Sequence, residues 1–128
     1  MMTDQEIFDR VATHLLLQGK RACVTTHPTG HMTCAYRGDG GTSCAVGCLI
    51  TDEAYDPALE GYSVRSTLVR EALEKSGVET EFSSARVRLL RLLQCIHDFS
   101  EQREPSETHL SYIQRRLRDV ADEFGLKG

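Results

Sequence analysis

Between Ser84 and Phe99 the chain sets Val87, Leu89, Leu90, Leu92, Leu93, Ile96 and Phe99 at helical spacing. These residues wrap more than half the circumference of a helix. An element that apolar has no face wide enough to lie on a surface, so other elements must cover it. Ser83 or Ser84 is placed to cap its start. The rest of the chain has to supply amphipathic partners, and its pattern does.

Thr3-Asp4-Gln5-Glu6 is a capping box. The Thr3 hydroxyl accepts from the Glu6 amide while the Glu6 carboxylate reaches back to the Thr3 amide. Ile7, Phe8, Val11, Ala12, Leu15 and Leu16 then form one wide apolar face, and Gly19 fits the left-handed position that ends a helix. A second helix is predicted over Val64–Ser76, with Val64, Leu68, Val69, Ala72 and Leu73 inward and Gly77 stopping it. A fourth opens at Pro105-Ser106, carries Leu110, Ile113, Leu117, Val120, Ala121 and Phe124, and ends before Gly125.

From Arg21 to Ile50 the helical period disappears. Ala22–Thr26 is rich in β-formers, and His27-Pro28-Thr29-Gly30 reads as a turn. Thr33–Arg37 and Thr42–Val46 flank Gly38-Asp39-Gly40-Gly41, a hairpin signal. Cys44–Leu49 is equally open to a helical reading, because short buried strands and helices share this pattern. Thr51-Asp52-Glu53 caps a turn of helix before Pro57, and residues 56–63 form a loop. The expected fold is α+β and mainly helical, about four helices with a small antiparallel hairpin between the first and second. The expected core unites Phe8, Val11, Leu15, Val46, Leu49, Leu68, Leu90, Leu93, Ile96, Ile113, Leu117 and Val120.

A length of 128 residues suits one domain spanning 1–128 with a single core. Trp is absent and aromatics make up only 6%, so aliphatic side chains must fill that core. Fifteen basic residues stand among nineteen acidic ones, for a net charge of −4, without a strongly basic half. Nucleic-acid binding through phosphate neutralisation needs a clustered positive footprint and is disfavoured. The acidic Met1–Glu6 start does not read as a signal peptide, and no apolar run is long enough for a membrane span. Five cysteines, an odd number, point to reduced thiols in a reducing cytoplasm rather than a disulfide framework.

Tyr36-Arg37-Gly38 and Cys44-Ala45-Val46-Gly47-Cys48-Leu49-Ile50 are followed by Asp52-Glu53-x-Tyr55-Asp56 and by Glu60-Gly61. Together they resemble small uncharacterised proteins of tailed bacteriophages and proteobacterial prophages. Those proteins begin with a helix like Ile7–Gly19 and carry a later segment like Gln94–Asp98. The resemblance spans most of the chain, apart from Cys23–Met32. It implies a phage or prophage origin and carries no activity.

Three constellations bear on chemistry. Cys23-x3-His27-x3-His31-x2-Cys34 offers four ligands to zinc, which takes Cys and His donors at about 2.0–2.3 Å. The alternative is a loop carrying His27 and His31, with the cysteines as small core hydrophobes and no cofactor. Cys44 or Cys48 with His97 would form the pair of a cysteine-dependent hydrolase. Against it, the flanking apolar residues raise a thiol's pKa. Asp98 adjoins His97, and consecutive helical residues point about 100° apart, so Asp98 is badly placed to orient the imidazole. Gly38–Ser43 lacks the Lys of a phosphate-binding loop and reads as a turn.

The leading expectation is a non-enzymatic protein-interaction module, an inhibitor of a host enzyme or defence complex. Its contacts would lie on the loops Thr25–His31 and Asp52–Tyr62 and on the hairpin tip, with Tyr36, Arg37, Tyr55 and Tyr62 as partner-binding residues. No membrane or direct nucleic-acid partner is expected.

Overall fold

A computed structural model describes residues 2–26, 31–80, 84–100 and 106–128, and the side chains of residues 24–33 lie outside that description. Four helices carry the fold: α1 (Asp4–Gln18), α2 (Thr67–Lys75), α3 (Ser84–Asp98) and α4 (His109–Phe124). The central role expected of Ser84–Phe99 follows from its neighbours, since α3 packs against both α4 and α1, which also touch each other. Leu89, Leu90, Leu93 and Ile96 are almost wholly removed from water.

The helix ends form as the residues dictate. Thr3 and Glu6 make both bonds of the capping box, at 3.1 Å each, and Gly19 closes α1 in the left-handed conformation. Thr108, rather than Pro105-Ser106, caps α4, its side chain accepting from the Ser111 amide at 3.0 Å. Pro105 and Ser83 lie outside the described residues. α2 begins at Thr67, three residues later than the pattern suggested, so Val64 is buried from the loop before it. This later start also corrects the core. Leu68 is 45% exposed, whereas Val69, Ala72 and Leu73 face inward. The other expected core residues are all buried in one contiguous cluster.

The α+β expectation is overturned. The mainly helical character holds, but no hairpin forms about Gly38–Gly41. Residues 35–50 contain one isolated bridge, Arg37 to Ser43, and short 3₁₀ turns at Asp39–Gly41 and Gly47–Leu49. The cause is competition for backbone groups. Glu60 takes the amides of Tyr36 and Arg37 at 2.9 and 3.1 Å. Gln18 of α1 receives the Ser43 amide and donates to the Ser43 carbonyl, which His14 also contacts. Arg37 and Ser43 face each other in a non-hydrogen-bonded position, between bonds from the Gly38 amide to the Thr42 carbonyl and from the Cys44 amide to the Tyr36 carbonyl. Their own backbone groups therefore point outward to these side chains. The ladder stops at the next step because the Tyr36 amide goes to Glu60 and the Cys44 carbonyl accepts from the Cys48 amide. The strand pairing among the described residues is a peripheral ribbon of four residue pairs. Its strands are β1 (Cys23–Thr26) and β2 (His31–Cys34), with Cys23 opposite Cys34.

No helix among the described residues is long and apolar enough to cross a membrane.

Candidate functional site

The C-terminal turn of α3 meets the base of the ribbon and the Gly38–Ile50 segment, and a set of polar side chains converges there. His97 is 1% exposed. Its Nε2 accepts from the Ala22 amide at 2.7 Å. That bond fixes the tautomer: the proton sits on Nδ1, which donates to Asp98 Oδ1 at 2.9 Å. The same Asp98 oxygen accepts from Gln94 Nε2 at 2.7 Å, and Gln94 Oε1 accepts from the Val46 amide at 2.9 Å. A continuous polar chain therefore runs from Val46 through Gln94, Asp98 and His97 to Ala22. The expectation that Asp98 is badly placed to reach His97 is overturned, since the two side chains converge at the end of α3.

This wiring bears on each thiol reading. His97 gives one nitrogen to Ala22 and the other to Asp98, so neither faces Cys44 or Cys48 as a base. The Cys44 thiol instead accepts from the Gly47 amide at 3.2 Å, and the Cys48 thiol donates to the Ala45 carbonyl at 3.0 Å. Burial pushes the pKa of Cys44 well above the ordinary thiol range and that of Cys48 up to about 12. A buried thiol with no imidazole nitrogen free to act as its base is not an activated nucleophile.

Of the four residues in the metal reading, the structure describes the side chains of two. Cys23 and Cys34 meet, with sulfurs 3.9 Å apart. His27 lies outside the described residues, as does the side chain of His31. Donor atoms of Cys34, His97 and Asp98 lie within 4.8 Å of one another instead. The imidazole does not fit a ligand's role there. Its one lone pair, on Nε2, is held by the Ala22 amide, and metal coordination would require breaking that bond. Burial raises the Cys34 thiol to about 11, with the Asp98 carboxylate and Cys23 adding to the effect and Arg21 opposing it.

Beside this cluster lies an open cleft of about 330 Å³. Tyr36, Glu60, Tyr62 and Val64 form one side, and Arg91, Gln94 and Asp98 of α3 form the other. Three thiols, those of Cys34, Cys44 and Cys95, also line it. The four residues expected to bind a partner divide here. Tyr36 is 7% exposed, and its hydroxyl donates to the Tyr62 carbonyl. Arg37 reaches Asp52 at 2.6 Å and the Ile50 carbonyl at 2.8 Å, and it lies 4.8 Å above the Tyr55 ring. Tyr55 donates to Glu60 at 2.7 Å. Tyr36, Arg37 and Tyr55 thus staple residues 36–62 together, while Tyr62 is 53% exposed at the cleft.

Arg91 was missed as a candidate contact. It is exposed and lines the cleft, and it makes no hydrogen bond or ion pair among the described residues. The signal available in the sequence was its position on α3 between Leu90 and Leu92, a charge next to the apolar face.

Comparison with protein-family models, curated proteins and solved structures returns no significant match.

Proposed function

We propose that this chain is a small protein-interaction module of phage or prophage origin. It acts in the cytoplasm of a bacterial host, inhibiting a host enzyme or defence complex, and binds neither membrane nor nucleic acid. The observation that carries the reading is the cleft between residues 60–64 and α3, where exposed Tyr62 and Arg91, which makes no ion pair among the described residues, flank a concave surface. Tyr and Arg are the residue types most enriched among binding hot spots, and such anchors work beside pockets that exclude water. A cleft of about 330 Å³ is at the small end of ligand sites and suits one or two side chains of a partner. The origin rests on the resemblance of Tyr36–Ile50 and Gln94–Asp98 to phage and prophage proteins.

The cysteine-hydrolase alternative loses support from the His97 bonds to Ala22 and Asp98. For zinc on Cys23, His27, His31 and Cys34, the two cysteines meet, while His27 and the His31 side chain lie outside the described residues.

Purification of the tagged chain from its native host tests the proposal, with a Tyr62→Ala/Arg91→Glu variant in parallel. The expected result is a stoichiometric protein partner held by the wild type and lost from the variant, with thermal unfolding unchanged. A partner retained by the variant would remove the cleft from the reading. A wild type that holds no protein at all would end the interaction-module reading itself.

A further inference from the structure

We propose that Cys23 and Cys34 are a redox-responsive pair that closes into a cross-strand disulfide at the base of the ribbon. The inference is independent of the identity of any partner. It rests on register. The Ala35 amide donates to the Ala22 carbonyl at 3.0 Å, which makes residues 22 and 35 a hydrogen-bonded pair. Antiparallel ladders alternate, so Cys23 and Cys34, the next pair, occupy the non-hydrogen-bonded position. There Cα atoms approach to about 4.5 Å and side chains are closest. That separation falls within the span of about 4.4–6.8 Å that disulfides bridge. The two sulfurs already stand 3.9 Å apart, so bond formation needs rotation about the side-chain torsions and no movement of the strands.

The surroundings set the kinetics. Cys34 faces Cys23 across the ribbon, the Arg21 guanidinium at 3.4 Å, and Asp98 and His97 at the end of α3. Both imidazole nitrogens are taken, by the Ala22 amide and the Asp98 carboxylate, and the carboxylate opposes a Cys34 thiolate. Attack by Cys34 is slow at neutral pH for want of thiolate. For the same reason the reduced form gains no stabilisation as an anion, so the disulfide resists reduction once made. The oxidant is a small-molecule disulfide such as oxidised glutathione. One cysteine, as thiolate, attacks a sulfur of the oxidant and expels one thiolate, giving a mixed disulfide. The second cysteine then loses its proton, attacks the protein-bound sulfur and expels the other. Two cysteine thiols are oxidised and one small disulfide becomes two thiols.

The sequence makes the test direct. No Lys or Arg lies between Ala22 and Tyr36, so trypsin releases residues 22–37 as one peptide holding Cys23 and Cys34 and no other cysteine. The full-length protein is incubated with oxidised glutathione, quenched with iodoacetamide, digested without reductant and weighed. The expected product is an unalkylated 22–37 peptide two hydrogens lighter than its dithiol, restored to the doubly alkylated form by dithiothreitol. A Cys23→Ser variant should instead stop at a glutathione adduct on Cys34, and a Cys95→Ser variant should behave as wild type. A 22–37 peptide that stays doubly alkylated, or that carries only glutathione adducts, would overturn the proposal. So would linkage of Cys34 to Cys44 or Cys95.

Discussion

The backbone amide of Ala22 donates to Nε2 of His97 at 2.7 Å and so ties the start of the ribbon to the last turn of α3, 75 positions away in sequence. One bond does two things. It satisfies an amide that the ribbon leaves without a strand partner, and it selects the imidazole tautomer that donates to Asp98. The chain of bonds continues through Gln94 to the Val46 amide, so α3 holds both the ribbon and the Gly47 turn. Fully satisfied networks of this kind fix a unique arrangement of the elements they join.

His97→Ala is therefore expected to cost about 3 kcal/mol, combining a cavity with an unsatisfied Ala22 amide. Asp98→Asn should cost only about 1 kcal/mol, because both bonds to Asp98 end on Oδ1, an oxygen that an amide retains. Urea denaturation of the two variants measures the contrast. Equal losses would mean that the carboxylate charge, rather than its acceptor oxygen, holds the network.

Glu60 is expected to matter as much as any core residue of the 36–62 segment. Its two oxygens accept from the Tyr36 amide, the Arg37 amide and the Tyr55 hydroxyl. Glu60→Ala should destabilise by about 2–3 kcal/mol, leaving two amides without their acceptor. Glu60→Gln should recover little of this. Whichever way the amide is oriented, its NH2 group faces a backbone N–H. A Gln variant as stable as wild type, by calorimetry, would show that the carboxylate is not the acceptor of both amides.

The helices were legible because their signals are local. Thr3 with Glu6, Gly19 and Gly125 mark ends by their own chemistry, and the apolar rows need only a period of 3.6. The supposed hairpin was not legible, because its failure depends on residues far along the chain. Glu60 takes the Tyr36 amide that the next ladder bond would need, and no window around Gly38–Gly41 contains Glu60. At the site, local reasoning about consecutive helical residues also failed for His97 and Asp98, since their side chains meet at the last turn of α3. That Cys23 and Cys34 meet each other was implicit in the zinc spacing. The spacing held no information that α3 would bring His97 and Asp98 beside them.

Stability should fall at alkaline pH. Burial raises Cys48 from an ordinary 9.0 to about 12 and Cys34 to about 11. Tyr55 moves from 10.0 to about 12 through burial and its bond to Glu60. Each group holds its proton more tightly in the folded chain than in the unfolded one. Their contribution is complete below pH 9 and is lost as pH rises through 11 to 12. Urea midpoints measured up that range should decline, and Cys48→Ala should flatten the decline. Over the same range iodoacetamide should modify Cys48 slowly at neutral pH and faster as pH rises. Rapid labelling of Cys44 or Cys48 at neutral pH would instead restore a thiol nucleophile to consideration.

The glycines of the motif should separate into two classes when each is replaced by alanine. Gly41 has φ 75° and open space around it, so Gly41→Ala meets only backbone strain, about 1 kcal/mol. Gly47 has no such φ, and its constraint is contact. A Cβ there would stand 2.2 Å from the Tyr36 carbonyl oxygen and 2.9 Å from the carbonyl carbon, both backbone atoms that cannot turn aside. Relief requires moving the 3₁₀ turn that buries Leu49, or moving Tyr36, whose carbonyl accepts from the Cys44 amide and whose own amide is held by Glu60. Gly47→Ala should therefore cost about 3 kcal/mol or more and open the cleft wall at Tyr36. Matched denaturation curves distinguish the two. If Gly47→Ala proves as mild as Gly41→Ala, the close approach of the turn to Tyr36 does not exist, and the cleft loses the element that shapes it.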